Sequence, residues 1–337
     1  MAASFNLIDE PWIPCIDLQG NPVELGIRDT LTRAHELREV YDESPLVTVS
    51  IYRLLLAILH RVFGPDSADT WLEHWRQGVW EARQLDSYFN TWYERFDLFH
   101  PDPAHRFYQA EPDESYKPRS VIHLVHSQGN NPTLFTHDTD EMAFGYTPAE
   151  ASRALLASQN CYLGGLLRSG VSSPGSPCAR GVNIMSQGRN LFETLSLNWF
   201  PYPEEEVFRS RADDRPAWEM DDPFEANRQV LKVKTKQEVL PLGYLDFLTW
   251  QNCRLWLGQP NEDGLVREVR IGLGNLKIHW SVTNPLYHYR REQTQDPSGL
   301  KFLRFSEGRA LWRDSTALLQ HRDPDNYKPP YAITWLG

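Results

Sequence analysis

Cysteine is scarce, basic charge is in deficit and no repeat is visible; each shortage removes a class of protein. The four cysteines, Cys15, Cys161, Cys178 and Cys253, are widely spaced and form no C-x-x-C pair, which excludes a zinc ribbon and a disulfide framework and predicts buried free thiols. Net charge is −11, so bare nucleic acid is repelled unless cations gather locally or a partner supplies the positive field. No apolar stretch is expected to reach the roughly 18 residues that span a bilayer. The N-terminus has neither the basic nor the apolar region of a secretion signal. Together these predict a cytoplasmic chain with no membrane partner. No internal repeat or low-complexity tract occurs, which excludes solenoids and arrays.

What is present is aromatic and proline-rich: 12 tryptophans and 24 prolines in 337 residues, enough chain to bury a large core without staples. The opening, with Gly20-Asn21-Pro22 between extended segments, predicts a β-hairpin. Asp29 or Thr30 is expected to cap a short helix, and Ser44-Pro45 to start a core helix whose apolar period ends at Gly64. His60 within it is read as packing, because no second ligand lies one turn away. Two aromatic helices are predicted from Ser67 to about Val79 and Glu81 to about Leu98. The pattern then dissolves from Phe99 to Tyr146, too long for a passive connector.

Helical order resumes at the capping box Thr147-Pro148-Ala149-Glu150 and runs to about Cys161, followed by a glycine-bearing loop and a helix over G-R-N-L-F-E-T-L-S-L-N-W-F. The acidic stretch from Tyr202 to Phe224 is read as a solvated loop. R-L-W-L-G and L-V-R-E-V-R-I-G-L form a second hairpin, with L-K-I-H-W-S-V-T as its expected third strand. A strand and a helix are expected after Ser298. The fold class is α+β: a large irregular globular domain of mixed helices and short antiparallel sheets with long functional loops, without a βαβ rhythm.

Tests for chemistry return little. Gly164-Gly165 follows a helix rather than a strand and fits neither the Walker nor the dinucleotide pattern. Gly170 to Gly175 misses the nucleophile-elbow spacing by one residue. His137, Asp138 and Asp140, with Thr139 and Glu141 between and beside them, offer hard oxygen donors and one imidazole; a metal-dependent nuclease or phosphohydrolase is the alternative reading they support. Basic residues interleave with aromatics at Lys232-Val233-Lys234-Thr235-Lys236, at Arg267 and Arg270, and at Tyr287-His288-Tyr289-Arg290-Arg291. Such mixtures suit nucleic acid, and salt bridging to the abundant carboxylates is the competing explanation.

Several segments carry a resemblance. N-L-I-D-E-P-W-I-P from Asn6, S-I-Y-R-L-L-L-A-I-L-H-R-V from Ser50, H-P-D-P-A-H-R-F-Y-Q from His100, R-G-V-N-I-M-S-Q-G-R-N-L-F-E-T-L-S-L-N from Arg180, D-R-P-A-W-E from Asp214 and T-N-P-L-Y-H-Y-R-R from Thr283 occur in order. They resemble the large (CasA) subunit of Cascade, the type I-E CRISPR surveillance complex, and cover nearly the whole chain. The resemblance implies a non-catalytic subunit that contacts the 5′ handle of the guide RNA (crRNA), recognises the protospacer-adjacent motif (PAM) in double-stranded DNA from the minor groove, supports R-loop formation and recruits the helicase-nuclease. Its implied partners are crRNA, target duplex, that effector, and the backbone, handle-binding and small Cascade subunits.

By the same resemblance Phe135, with Leu134 and Thr136, falls in the loop near the RNA handle. Gly164 and Gly165 fall on the family's glycine loop, where absence of Cβ lets backbone approach base edges. Leu166 departs from that pattern, since a further glycine is common there; a helix C-cap at Gly164 is the local alternative. Lys277 matches the family's minor-groove lysine, with Arg270 as its alternative. The zinc-like cysteine cluster of some members has only Cys253 here, so neither metal nor cofactor is expected. Residues 1–337 correspond to the family's N-terminal globular domain; the glutamine-bearing wedge and C-terminal four-helix bundle that follow it in the family are absent from this chain.

Overall fold

In the computed structural model the described residues are 4–124, 144–166, 172–173, 175–201, 213–233, 236–279, 281–292, 299–304 and 326–336. The prolines and glycine near the start act as expected: β1 (Ile13–Asp17) and β2 (Pro22–Leu25) pair antiparallel. Gly20 turns the chain at φ +88°, and Asp17 Oδ1 accepts from the amides of Gln19 and Asn21, both at 2.8 Å. The short helix α1 (Ile27–Thr32) starts earlier than the sequence suggests, capped at Gly26 rather than Asp29 or Thr30. Gly26 lies against the chain, where a Cβ would stand 2.5 Å from the Ile8 carbonyl oxygen, and Thr30 instead donates its hydroxyl to the Gly26 carbonyl at 2.8 Å. β3 (Leu37–Val40) completes a sheet of order β2-β1-β3.

Helix α2 (Pro45–Val62) begins as predicted, with Ser44 at the N-cap position and proline at the first turn, and Gly64 follows it with φ +32°. Every residue from Val49 to His60 is buried. This helix corrects the expectation about apolar runs: by length and composition it could cross a membrane. Here its faces are covered by protein, because four later helices, Ala82–Trp92, Pro148–Cys161, Leu191–Leu197 and Tyr244–Leu248, pack around it. His60 is a packing residue, its ring edge-on to Tyr244 at 5.0 Å.

The two aromatic helices appear as α3 (Ala68–Gln77) and α4 (Ala82–Trp92), the first capped by the Ser67 hydroxyl and ended by Gly78 at φ +70°. A one-turn helix, Tyr93–Phe96, extends α4, and a second, Pro103–His105, lies beside it. After β4 (Arg119–Ser120) comes α5 (Pro148–Cys161), where the Thr147–Glu150 capping box is formed in both directions. A two-rung hairpin, β5 (Gly165–Leu166) with β6 (Ser172–Ser173), precedes α6 (Leu191–Leu197). Beyond it lie β7 (Gln229–Val233), β8 (Lys236–Leu240) and α7 (Tyr244–Leu248).

Residues 202–212 of the predicted solvated stretch lie outside the described residues; beyond them Asp221 is exposed as expected, yet Asp214, Ala217, Trp218 and Met220 are buried. The reason is helix capping at long range: Asp214 accepts from the Leu245 and Asp246 amides of α7 at 2.7 and 2.9 Å, satisfying orphan donors that Gly243 cannot. Asp246 is itself held by the buried Arg228 at 2.6 Å.

β9 (Arg254–Leu257) and β10 (Glu268–Gly272) form the expected second hairpin. The expected third strand does not join them. β11 (Lys277–Ile278) pairs with β8, and in parallel, giving the order β11-β8-β7. β12 (Tyr289–Arg291), β13 (Leu300–Phe302) and β14 (Tyr327–Lys328) make a further sheet, and the helix Tyr331–Leu336 follows. The α+β class stands; among the described strands one pairing is parallel and the others are antiparallel. All four cysteines are buried free thiols, and burial pushes Cys15 and Cys161 up to about 12.

Candidate nucleic-acid interface

The glycine loop is built on the end of α5. The helix caps at Tyr162 in extended conformation (φ −60°, ψ 123°), so Gly164 is not its C-cap. It is a separate turn residue at φ +78°, a conformation that glycine adopts without steric cost. Gly165 then pairs with Ser173, and Leu166 with Ser172. The hairpin's base is closed by the Ser176 amide donating to the Tyr162 carbonyl at 2.8 Å and by the Tyr162 amide donating to the Ser176 hydroxyl at 3.1 Å. Gly175 lets the arms meet, since a Cβ there would lie 3.1 Å from the Leu163 carbonyl oxygen. Leu163, at the same base, exposes 68% of its surface, the largest fraction among the described large apolar residues.

A cleft of about 160 Å³ opens beside this base, lined among others by Gly175, Arg180, Lys277, Tyr287 and Phe302. Lys277 is delivered by the parallel pairing that sets it opposite Glu238. Its Nζ donates to Glu238 Oε1 at 2.6 Å, with 38% of the lysine side chain exposed against 6% of the glutamate's. The approach to β11 is tight: a Cβ on Gly274 would stand 2.1 Å from the Asn252 carbonyl oxygen.

Behind the cleft wall the wholly buried Arg53 of α2 donates to Asn160 Oδ1 of α5 at 2.9 Å and to the Phe247 carbonyl of α7 at 2.6 Å. One guanidinium thus joins three helices behind the wall. Tyr287 donates its hydroxyl to the Pro177 carbonyl at 2.8 Å and accepts from the Arg180 amide at 3.1 Å. Burial pushes the Tyr287 and Tyr289 phenols up, so both remain neutral. Arg180 is exposed at the mouth, and its guanidinium makes no ion pair among the described residues.

Lys277 lines one cleft with Gly175, at the foot of the hairpin that holds Gly164 and Gly165, but those two glycines are not among its lining residues, and Arg270 is separate from it. Arg270 sits on β10 in the β4-β10-β9 sheet and is ion-paired to Glu111. The competing explanation for basic clusters holds at several positions: Arg267 pairs with Asp263, and Glu292 is shared by Arg290 and Lys301. Leu134, Phe135 and Thr136 lie outside the described residues, as do His137, Asp138 and Asp140. Sequence reasoning missed Arg180, Gly175 and Leu163 as members of the site. Arg180 opens the R-G-V-N-I-M segment, the one signal that pointed to it.

Set beside known proteins, residues 6–337 match the family model described as CRISPR-associated protein Cse1. The chain is 38% identical over 320 residues to the CRISPR-associated protein CasA/Cse1 of Thermus thermophilus, covering 94% of this chain and 60% of that protein. A crystal structure of Thermus thermophilus CasA superposes with a TM-score of 0.77 at 33% identity, over 98% of this chain and 64% of that one. A chain of a CRISPR RNA-guided surveillance complex superposes with a TM-score of 0.76 at 25% identity, over 98% of this chain and 68% of that one. The chain therefore spans about three fifths of the length of the first two relatives.

Proposed function

Since this chain belongs to the CRISPR-associated protein Cse1 family, we propose that it serves as the N-terminal globular domain, residues 1–337, of the large subunit of an RNA-guided surveillance complex. In this reading it is non-catalytic and works in the cytoplasm with crRNA, target double-stranded DNA and the backbone, handle-binding and small subunits. It reads the PAM from the minor groove, supports R-loop formation and recruits the helicase-nuclease. Base pairing reads most of the target, and protein reads only the short flanking duplex.

The observation that carries the reading is the cleft that Gly175, at the foot of the glycine hairpin, shares with Lys277 and Arg180. Backbone lacking Cβ at Gly164 and Gly165 enters a narrow groove, and a lysine beside it finds the acceptors that every base pair presents there. Minor-groove patterns are degenerate, so this pair accepts a set of motifs rather than a single one. Arg180 is placed to hold backbone phosphate without first breaking an ion pair within the described residues. Leu134, Phe135 and Thr136 are assigned to the crRNA handle, with Phe135 stacking on or wedging against a base. An acidic chain is compatible with these roles because neighbouring subunits and a few placed cations supply the field.

The test is duplex binding by the assembled guide-RNA complex across targets that differ only in the flanking motif. Gly165→Asp puts a side chain and a negative charge against the groove, and discrimination between motifs is expected to disappear while the complex stays assembled. Normal discrimination by the intact Gly165→Asp complex would refute the assignment of the hairpin.

A further inference from the structure

A second constellation lies outside the cleft, in the H-P-D-P-A-H segment. Glu94, His100 and His105 each offer one ligand atom, and the three atoms lie within 4.8 Å of one another. Glu94 comes from the Tyr93–Phe96 turn and His105 from the Pro103–His105 turn. Both turns are pinned. Arg95 donates to the Ala104 carbonyl at 2.7 Å, Asp102 Oδ1 caps the second turn by accepting from the Ala104 amide at 3.0 Å, and Arg106 Nε donates to the His100 carbonyl at 3.1 Å. The Arg106 guanidinium is in turn fixed over Trp256, 4.0 Å from the ring centre.

Within this frame His105 Nδ1 is buried and has no hydrogen-bond partner among the described residues. It faces Glu94 Oε2 at 3.5 Å. Two donors bound to one tetrahedral ion at about 2.0–2.1 Å stand about 3.3–3.4 Å apart, so this pair is already near the separation a metal requires. The His100 ring centre lies 4.9 Å from that of His105. His100 Nδ1 has the Asp102 carbonyl oxygen at 3.3 Å and the Asp102 amide at 3.1 Å. With Nδ1 accepting from the Asp102 amide, Nε2 carries the proton; ligation through Nε2 uses the other tautomer, in which Nδ1 donates to the Asp102 carbonyl and Nε2 keeps its lone pair. A plain ion pair would need only Glu94 and His105; the third donor is what distinguishes a metal site.

We propose that Glu94, His100 and His105 bind one divalent transition-metal ion, with Zn²⁺ as the fitting species and a remaining position open to solvent. Two imidazoles and a carboxylate are borderline donors that suit Zn²⁺, Co²⁺ and Ni²⁺ rather than Mg²⁺ or Ca²⁺. The ion bridges the two one-turn helices and fixes the segment between them. This site is independent of the cysteine cluster of the family and of the cleft.

The experiment uses the full 337-residue chain. Equilibrium dialysis with Zn²⁺ is expected to give one equivalent more for the parent chain than for the His100→Ala/His105→Ala double variant, and each single variant is expected to bind at least about tenfold more weakly. Co²⁺ is expected to give visible d–d bands that His105→Ala abolishes. Glu94 is exposed, so Glu94→Gln tests the third ligand without threatening the fold. Protection of His100 and His105 from diethyl pyrocarbonate by Zn²⁺ supplies a readout on unmodified protein. Equal Zn²⁺ binding by parent and double variant, or no Zn²⁺ binding by the parent, would overturn the proposal.

Discussion

Replacing Lys277 by alanine does two things at once, and the structure allows them to be separated. The lysine is the partner of Glu238 Oε1 at 2.6 Å, and Glu238 is 6% exposed at its side chain. The other carboxylate oxygen, Oε2, is buried with no hydrogen-bond partner among the described residues. Lys277→Ala therefore strands a buried carboxylate. Removing one member of such a pair costs about 1–3 kcal/mol; because 38% of the lysine side chain is in solvent, screening places the loss near 1–2 kcal/mol. For a chain of this size that lowers Tm by about 1–3 °C. Adding Glu238→Gln removes the stranded charge and is expected to restore most of that shift in a thermal melt. It does not restore a cation to the cleft. If Lys277 reads the groove, Lys277→Ala and the double variant both lose motif discrimination in the duplex-binding assay. Glu238→Gln alone releases the ammonium and is expected to tighten duplex binding by roughly three- to tenfold, about 1 kcal/mol. A double variant that melts like the parent and discriminates motifs like the parent would refute the reasoning, because Lys277 would then act only through Glu238.

Two further outcomes follow from local geometry. Burial against Phe63, Trp80 and Trp199 holds the His74 imidazole below its ordinary value, only partly opposed by Glu73 and Glu81. The unfolded chain then binds the proton more tightly, so this contribution to stability is complete above about pH 6.5 and is lost as pH falls. His74→Phe is expected to flatten the fall in Tm between about pH 7.5 and 5.5, and an unchanged profile would contradict it. Gly274→Ala forces a Cβ to within 2.1 Å of a backbone oxygen. It is expected to cost about 1–3 kcal/mol in a denaturant titration and to weaken motif discrimination by displacing the start of β11.

Local signals are legible where the physics is local. Proline at the first turn after Ser44, the Thr147–Glu150 capping box and the Gly20 turn each specify their element from neighbouring residues alone, and each stands where the sequence puts it. Misreadings arise where a distant partner decides. The sequence places β11 with the adjacent hairpin, but its hydrogen bonds go to β8, which enters the chain well before that hairpin. The Asp214 segment looks solvated by its charge, yet that carboxylate caps α7 across the chain. The site follows the same rule. Gly164, Gly165 and Lys277 are named through family resemblance, whereas Gly175 and Arg180 join Lys277 at the cleft only through folding. Glu94, His100 and His105 share no motif spacing, and only the docking of two one-turn helices gathers them.

The burial of α2 also has a cost in time. Its guanidinium anchor, Arg53, finds one partner 107 residues downstream at Asn160 and another 194 residues downstream at Phe247. At roughly 5–20 residues per second of synthesis, the second partner is made about 10–40 s after Arg53 itself. For that interval a helix apolar enough for a bilayer has no completed protein pocket to enter. Part of the cover of α2, the helix α7, is thus made well after α2 itself, so the apolar face that α7 covers must be shielded in another way while the chain is being synthesised.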